Sequence, residues 1–260
     1  MKDYTDLQWT YSSSSSGGQY LKSEKTVNGK LYYYKLSDYF YGTFRSHESA
    51  LEVFTSRLGI YLGLPVLKYT GSRAKISLDG REYETFVSRS KNFCPSGGTS
   101  IPLVTYYNIN KLPKESPLEF CRRTGMTEYI DKVIIFDYLI MNIDRHGRNI
   151  EMIIDGNQVT PSPIFDNGRC LTFGCGNRTE NIKKYDYKSP GMGNNFVGSI
   201  DLERNLSNVS RQYILPELCD EIRPKLFHGL HSEFTSEHRD ILWEALKYRY
   251  NILKSKGVIK

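Results

Sequence analysis

Asn142-Ile143-Asp144-Arg145-His146-Gly147-Arg148-Asn149 is the stretch on which the reading of this chain turns. It follows Ile130, Val133, Ile134, Phe136, Ile140 and Met141, a run too apolar all round for a surface helix, so a buried helix is predicted over residues 127–142. Four residues then separate Asp144 from Asn149, the spacing at which a phosphoryl-transfer loop orients a hydroxyl with its aspartate and holds magnesium with its asparagine. Downstream, Pro163-Ile164-Phe165-Asp166-Asn167-Gly168 supplies a second carboxylate. Between the two segments a hairpin is predicted around Asp155-Gly156. Oxygen ligands on either side of a hairpin can share a magnesium ion that also takes phosphate oxygens. An Asp-x4-Asn pair alone is common, and an aspartate capping a turn is the plain alternative.

Upstream, residues 1–92 read as strands joined by tight turns, with one helix among them. Residues 21–27 and 30–36 flank Asn28-Gly29, and residues 74–78 and 81–88 flank Asp79-Gly80. Both dipeptides tolerate the positive φ of a two-residue turn, so two hairpins and an antiparallel sheet are predicted. Between them Ser46 can cap a helix running to about Leu62, where Gly63 and Pro65 end it. Lys35 sits in Tyr32-Tyr33-Tyr34-Lys35-Leu36, on an expected central strand where an ammonium is costly to bury without a partner. Lys35 is therefore the candidate cation for nucleotide phosphates, with an edge-strand lysine that discourages aggregation as the alternative. Glu48 and Glu52, one helical turn apart, are its candidate partners. Glu48 is preferred because early helix positions face the sheet in this arrangement, the alternative being a solvated helix face.

Ser12-Ser13-Ser14-Ser15-Ser16-Gly17-Gly18-Gln19 falls between two expected strands, where a phosphate-covering loop would lie. Gly17 and Gly18 permit close backbone approach, and Ser16 and its neighbours offer hydroxyls and amides to phosphate oxygens. The stretch departs from Gly-x-Gly-x-x-Gly and would also serve as a flexible linker. Beyond Ser88, Cys94-Pro95-Ser96-Gly97-Gly98 reads as a connector. The remainder is mainly helical, with a short helix over residues 117–123 and two or three packed helices over the last fifty residues. The expected division is a nucleotide-binding lobe over residues 1–92 and a catalytic lobe over residues 93–260.

Residues 136–149, followed by 163–168, resemble the catalytic core of the HipA-like serine/threonine kinases. The Asp-Arg-His-x-x-Asn arrangement is also similar to that of phosphoinositide 3/4-kinases. The resemblance is specific over about residues 130–170 and looser elsewhere. It implies an α+β, two-lobed protein-kinase-like fold, with a small antiparallel sheet lobe and a larger, mostly helical lobe. It implies an ATP- and magnesium-dependent serine/threonine protein kinase with Asp144 as catalytic base, Asn149 and Asp166 as magnesium ligands and His146 in a supporting role. Loop serines are autophosphorylated in that family, which makes Ser12, Ser13, Ser14, Ser15 and Ser16 candidate regulatory sites. A phosphate there would add about −2 charge beside the nucleotide phosphates and repel them. A toxin role, a DNA-binding antitoxin and translation-factor substrates are implied by the resemblance alone. The candidate loop begins by residue 12, so an amino-terminal subdomain of HipA-like toxins is expected to be missing here, its surface supplied by a small separate protein.

Composition narrows the classes. With 260 residues, a net charge of +6, 39% hydrophobic and 25% charged residues, the chain is neither disordered nor a disulfide-rich miniature, and its length suits one two-lobed unit. Residues 133–143 are interrupted by Asp137 and Asn142 and fall short of the ~20 apolar residues of a membrane span. Residues 1–10 lack a signal peptide's basic flank and apolar run, which predicts a cytoplasmic location. Five scattered cysteines suit free thiols, and none is spaced to complete a zinc site with His228, His231 or His238, which read as helix decoration. Arg122 and Arg123 read as a solvated helix end. Lysines and arginines form no dense block, so direct nucleic acid binding is not expected. Two competing readings remain. Lys183, Lys184 and Lys188 beyond Asp166 hint at a lipid kinase. The irregular serine loop suits a catalytically silent kinase-fold binding module, against which Lys35, Asp144, Asn149 and Asp166 together argue.

Overall fold

Asn28 and Gly29 both take positive φ, 50° and 70°, and so do Asp79 and Gly80, at 50° and 74°. In the computed structural model, which describes residues 1–12 and 17–260, these turns shape a six-stranded sheet. Its strands are β1 (Lys2–Tyr4), β2 (Thr10–Ser12), β3 (Gly17–Val27), β4 (Lys30–Lys35), β7 (Tyr69–Leu78) and β8 (Arg81–Lys91), in the order β1-β7-β8-β4-β3-β2. A small ribbon of β5 (Tyr39–Phe40) and β6 (Thr43–Phe44) leads into helix α1 (Glu48–Tyr61). Lys35 lies on an inner strand, as its neighbours predict. The sheet is antiparallel except at one edge, where β1 runs parallel to β7 with Lys2 opposite Ala74. The expected antiparallel sheet is thus present, with this one parallel pair added at its edge. The chain passes from β1 at one edge to β2 at the other, and the crossing buries Leu7 with Leu21, Leu36, Ile76 and Leu78 on the outer face. A crossover replaces the tight turn that antiparallel neighbours would need.

Helix α1 covers the sheet's inner face and is gripped from the far side as well. Phe54 stacks on Phe227 with ring centroids 4.8 Å apart, and Arg57 donates to the Leu226 and His228 carbonyls at 2.9 and 2.6 Å. Its amino-terminal cap is His47 rather than Ser46. The Ser46 hydroxyl is drawn instead to the Glu48 carboxylate.

Beyond Lys91, β9 (Thr99–Pro102) pairs with β10 (Glu151–Asp155), which pairs with β11 (Gln158–Pro161). Around this small sheet lie α2 (Leu103–Asn110), α3 (Pro117–Arg123), α4 (Thr127–Leu139), α5 (Thr179–Lys183), α6 (Leu202–Asn205), α7 (Arg223–Phe227) and α8 (Ser236–Ser255). Ser116 and Glu119 form a reciprocal capping box at the start of α3. Helix α4 is the buried centre of this lobe, yet it stops three residues before the expected end. Met141 turns into the left-handed region at φ 48°, and the Asn142 amide N–H closes on the Asp137 carbonyl at 2.9 Å. His228 and His231 lie in turns, while His238 is enclosed within the fold on α8, so none of the three merely decorates a helix. Arg122 and Arg123 stand exposed in the last turn of α3, the solvated helix end expected, and there they reach the Asn208 carbonyl at 2.9 Å and Glu115 at 2.6 Å respectively. No helix among the described residues is long and apolar enough to cross a membrane.

Candidate active site

Strand β4 carries Lys35 to the inner face of the sheet and anchors it at the backbone. The Lys35 carbonyl accepts from the Ser49 hydroxyl at 2.9 Å and the Ser88 hydroxyl at 3.4 Å, tying the strand to α1 and β8. The ammonium points into the cleft and pairs with Glu52 at 3.4 Å and with Asp166. Tyr20, at the start of β3, lays its ring 5.3 Å from the same nitrogen.

The glutamate partner is Glu52, not Glu48. Glu48 accepts from the Ser46 hydroxyl and, at 3.2 Å, from the Asp38 amide, so it fastens the entry to α1. One turn later, Glu52 reaches the cleft, where one carboxylate oxygen takes Lys35 and the other accepts from the Asn167 amide at 2.8 Å. Burial, reinforced by the Asp166 carboxylate, lifts Glu52 above its ordinary value although Lys35 pulls the other way. Burial also disfavours the charged lysine, but the Asp166 and Glu52 carboxylates outweigh it and hold Lys35 well above its usual range. Asp166 is only partly enclosed, with its side chain 33% exposed, and Lys35 overcomes the raising influence of that enclosure, bringing the carboxyl down to about 2. Tyr69 on β7 completes the cluster, its hydroxyl pushed up by burial and then by Glu52.

The loop after α4 is built around Arg145. Its guanidinium is buried at 2% exposure and pairs with Asp137 at 3.0 Å. It donates to the Asn149 carbonyl at 2.9 Å, the Phe165 carbonyl at 2.7 Å and the Asn167 side chain. One side chain thus fastens α4, the Asp144–Asn149 loop and the Asp166 segment together. Asn142 joins the same staple, donating to Asp137 at 3.0 Å and accepting from the Asp144 amide, also at 3.0 Å. Asp144 is left with its carboxylate facing Arg169 at 2.9 Å, with His146 Nε2 at 3.9 Å on the other oxygen. The Asn149 side-chain nitrogen donates to the Asp144 carbonyl at 2.8 Å, which leaves Oδ1 as the atom able to ligate.

The expected site residues therefore divide. Lys35 and Asp166 touch; Asp144, His146 and Asn149 share one loop; and Arg145 joins that loop to Asp166. Gly17 and Gly18 open strand β3 rather than lying in a loop, with Gly17 opposite Ser12. Ser12 ends β2, while Ser13, Ser14, Ser15 and Ser16 lie outside the described residues. Of the lysines beyond Asp166, Lys183 is paired with Glu237 at 3.4 Å. Asp137, Arg145, Asn167, Arg169 and Tyr69 were not anticipated as site residues. Arg145 stands inside the Asp-Arg-His-x-x-Asn arrangement, and polar Asp137 and Asn142 inside an otherwise apolar run are the mark of a buried staple.

A sheet lobe above a helical lobe, meeting at this cleft, defines a two-lobed kinase-like fold. The same architecture is found in CtkA, a proinflammatory kinase of Helicobacter pylori, with a TM-score of 0.61 over 98% of this chain and 95% of that one, at 16% identity. A slighter likeness, TM-score 0.46 at 12% identity, links 90% of this chain to 64% of HipA from the Shewanella oneidensis MR-1 toxin–antitoxin system, solved with HipB and operator DNA; it carries no weight here. No protein-family model and no curated protein matches the sequence.

Proposed function

We propose that this chain is a HipA-like, ATP- and magnesium-dependent serine/threonine protein kinase. The observation that carries the reading is the meeting of Lys35 from β4, Glu52 from α1 and Asp166 from the segment after β11, beside the Asp144–Asn149 loop. A cation held by a helix carboxylate and aimed at a second carboxylate is the arrangement that binds and orients nucleotide phosphates. Asn149 Oδ1 and the Asp166 carboxylate are hard oxygen donors of the kind magnesium prefers. The bound ion would neutralise charge on the phosphate oxygens. Lys35 presents a permanent positive charge, and Glu52 fixes its direction. Asp144 orients the attacking hydroxyl and takes up its proton. Arg145 keeps that carboxylate's loop and Asp166 in register. Autophosphorylation on residues 12–16, a toxin role, an antitoxin partner and translation-factor substrates belong to the proposal through the family resemblance.

The test is a paired assay of wild type and Asp144→Asn with labelled ATP and magnesium, offered both protein acceptors and anionic-lipid vesicles, then mass spectrometry of the chain. Wild type should label protein acceptors or its own serines, and Asp144→Asn should lose about 10²- to 10⁴-fold of that rate. Labelled lipid with unlabelled protein would replace the protein-kinase reading by the lipid-kinase one. Nucleotide binding without transfer or hydrolysis in wild type would defeat both and favour the silent module.

A further inference from the structure

Phosphoryl transfer places charge on the equatorial oxygens of the migrating group, close to the attacking hydroxyl, and a cation there lowers the barrier. Lys35 does not stand beside Asp144; it is held against Asp166 and Glu52. Within the Asp144–Asn149 loop, Arg145 is nearest in sequence, but its guanidinium is enclosed and engaged by Asp137, Asn149, Phe165 and Asn167. Arg148 is exposed, and His146 stands 3.9 Å from the carboxylate.

The cation that meets the base comes from elsewhere. Arg169, three residues after Asp166, donates from Nη1 to Asp144 Oδ2 at 2.9 Å. Its position is fixed twice over. Its carbonyl accepts from the Ile143 amide at 3.1 Å, and its guanidinium lies 5.0 Å from the Phe173 ring centroid. The side chain keeps 31% exposure, against 18% for Asp144, so the pair is not sealed in the core.

We propose that Arg169 is a catalytic residue of the phosphoryl-transfer site, supplied in cis, that contacts the γ-phosphoryl group as it passes to the hydroxyl oriented by Asp144. The inference rests on the kinase reading above. In the step, the acceptor oxygen forms the new bond to phosphorus and the bond between phosphorus and the β–γ bridging oxygen breaks, so the bonding pair leaves with ADP. The hydroxyl proton goes to the Asp144 carboxylate and thence to water. Arg169 stays protonated throughout; its planar fork has donors for a carboxylate and a phosphoryl oxygen together.

The test compares wild type, Arg169→Lys and Arg169→Ala by ATP turnover, ADP affinity, affinity for ADP with aluminium fluoride, and thermal midpoint. Arg169→Ala should bind ADP within about threefold of wild type and lose about 10²- to 10³-fold in kcat. The extra affinity that aluminium fluoride confers on ADP should fall at least tenfold, and added guanidinium ion at millimolar concentration should restore part of the lost turnover. Arg169→Lys should lie between the two. An Arg169→Ala protein with wild-type kcat overturns the proposal, and so does one that loses turnover but keeps the full aluminium fluoride enhancement, because Arg169 would then act only by holding Asp144. If Arg169→Ala does not fold, Arg169→Lys decides by the same enhancement. A wild type that binds nucleotide without turning it over is the separate failure of the kinase reading itself.

Discussion

Glu52 and Glu48 show how far one residue can be read from a sequence. Lys35, Asp144, Asn149 and Asp166 stood out because a lysine among tyrosines and the oxygen side chains around a hairpin have few structural uses. The choice between the two glutamates could not be made on helical periodicity. Eleven of the fourteen residues of α1 are buried, so neither face of the helix is marked by polarity. The structure separates their effects. Glu52→Gln should lower kcat/KM for ATP by about tenfold or more by releasing Lys35, whereas Glu48→Gln should change it less than about threefold and instead cost about 1–2 kcal/mol of stability through the Ser46 and Asp38 contacts. Steady-state kinetics with urea unfolding of both variants makes the comparison.

At the level of elements, the hairpins were the most legible part of the chain. Asn28-Gly29 and Asp79-Gly80 turn where expected, because positive φ restricts the residues able to stand there, whereas the third hairpin turns one residue later than expected, at Gly156-Asn157, with Asp155 still paired to Gln158. Helix α4 was read too long, since hydrophobic periodicity continues through Met141 while the backbone reverses at that residue. The edge strand β1 was not legible as parallel, because three residues carry no pairing signal of their own. Two substitutions test the junctions between elements. Asp137→Ala leaves the enclosed Arg145 guanidinium without its carboxylate and should cost about 3–5 kcal/mol, read as a shift in the urea midpoint. Gly168→Ala should act differently. An added Cβ would lie 2.9 Å from the Glu48 carbonyl and 3.1 Å from a Glu52 oxygen, so α1 must shift, and the variant should lose at least about tenfold in kcat/KM with its fold retained.

Across the whole molecule, the two lobes are fastened near a pair of histidines. His47, which caps α1, packs against His238 of α8 with ring centroids 5.2 Å apart, beside Phe234, and His238 Nε2 lies 2.7 Å from the Thr172 hydroxyl. Burial lowers His47 to about 4; burial, with His47 as a second influence, lowers His238 to about 3. The unfolded chain, whose histidines titrate near 6.5, therefore binds more protons than the folded one below that pH. Stability should be fully present above about pH 6.5 and fall progressively as pH drops toward 3, by an amount on the order of a few kcal/mol. Thermal midpoints measured from pH 7.5 to 4 should show this decline, and His238→Gln should flatten it.

The hydrogen bond from the Asn167 amide to Glu52 spans 115 residues of sequence and exists only while α1 is seated over the Asp166 segment. That single proton is consequently a gauge of interlobe closure. In a nitrogen–proton correlation spectrum its peak should sit downfield and resist deuterium replacement when the helix is docked, and lose both properties when the helix swings out. The docking of α1 on the Asp166 segment can then be followed in real time with no acceptor, label or antibody in the tube.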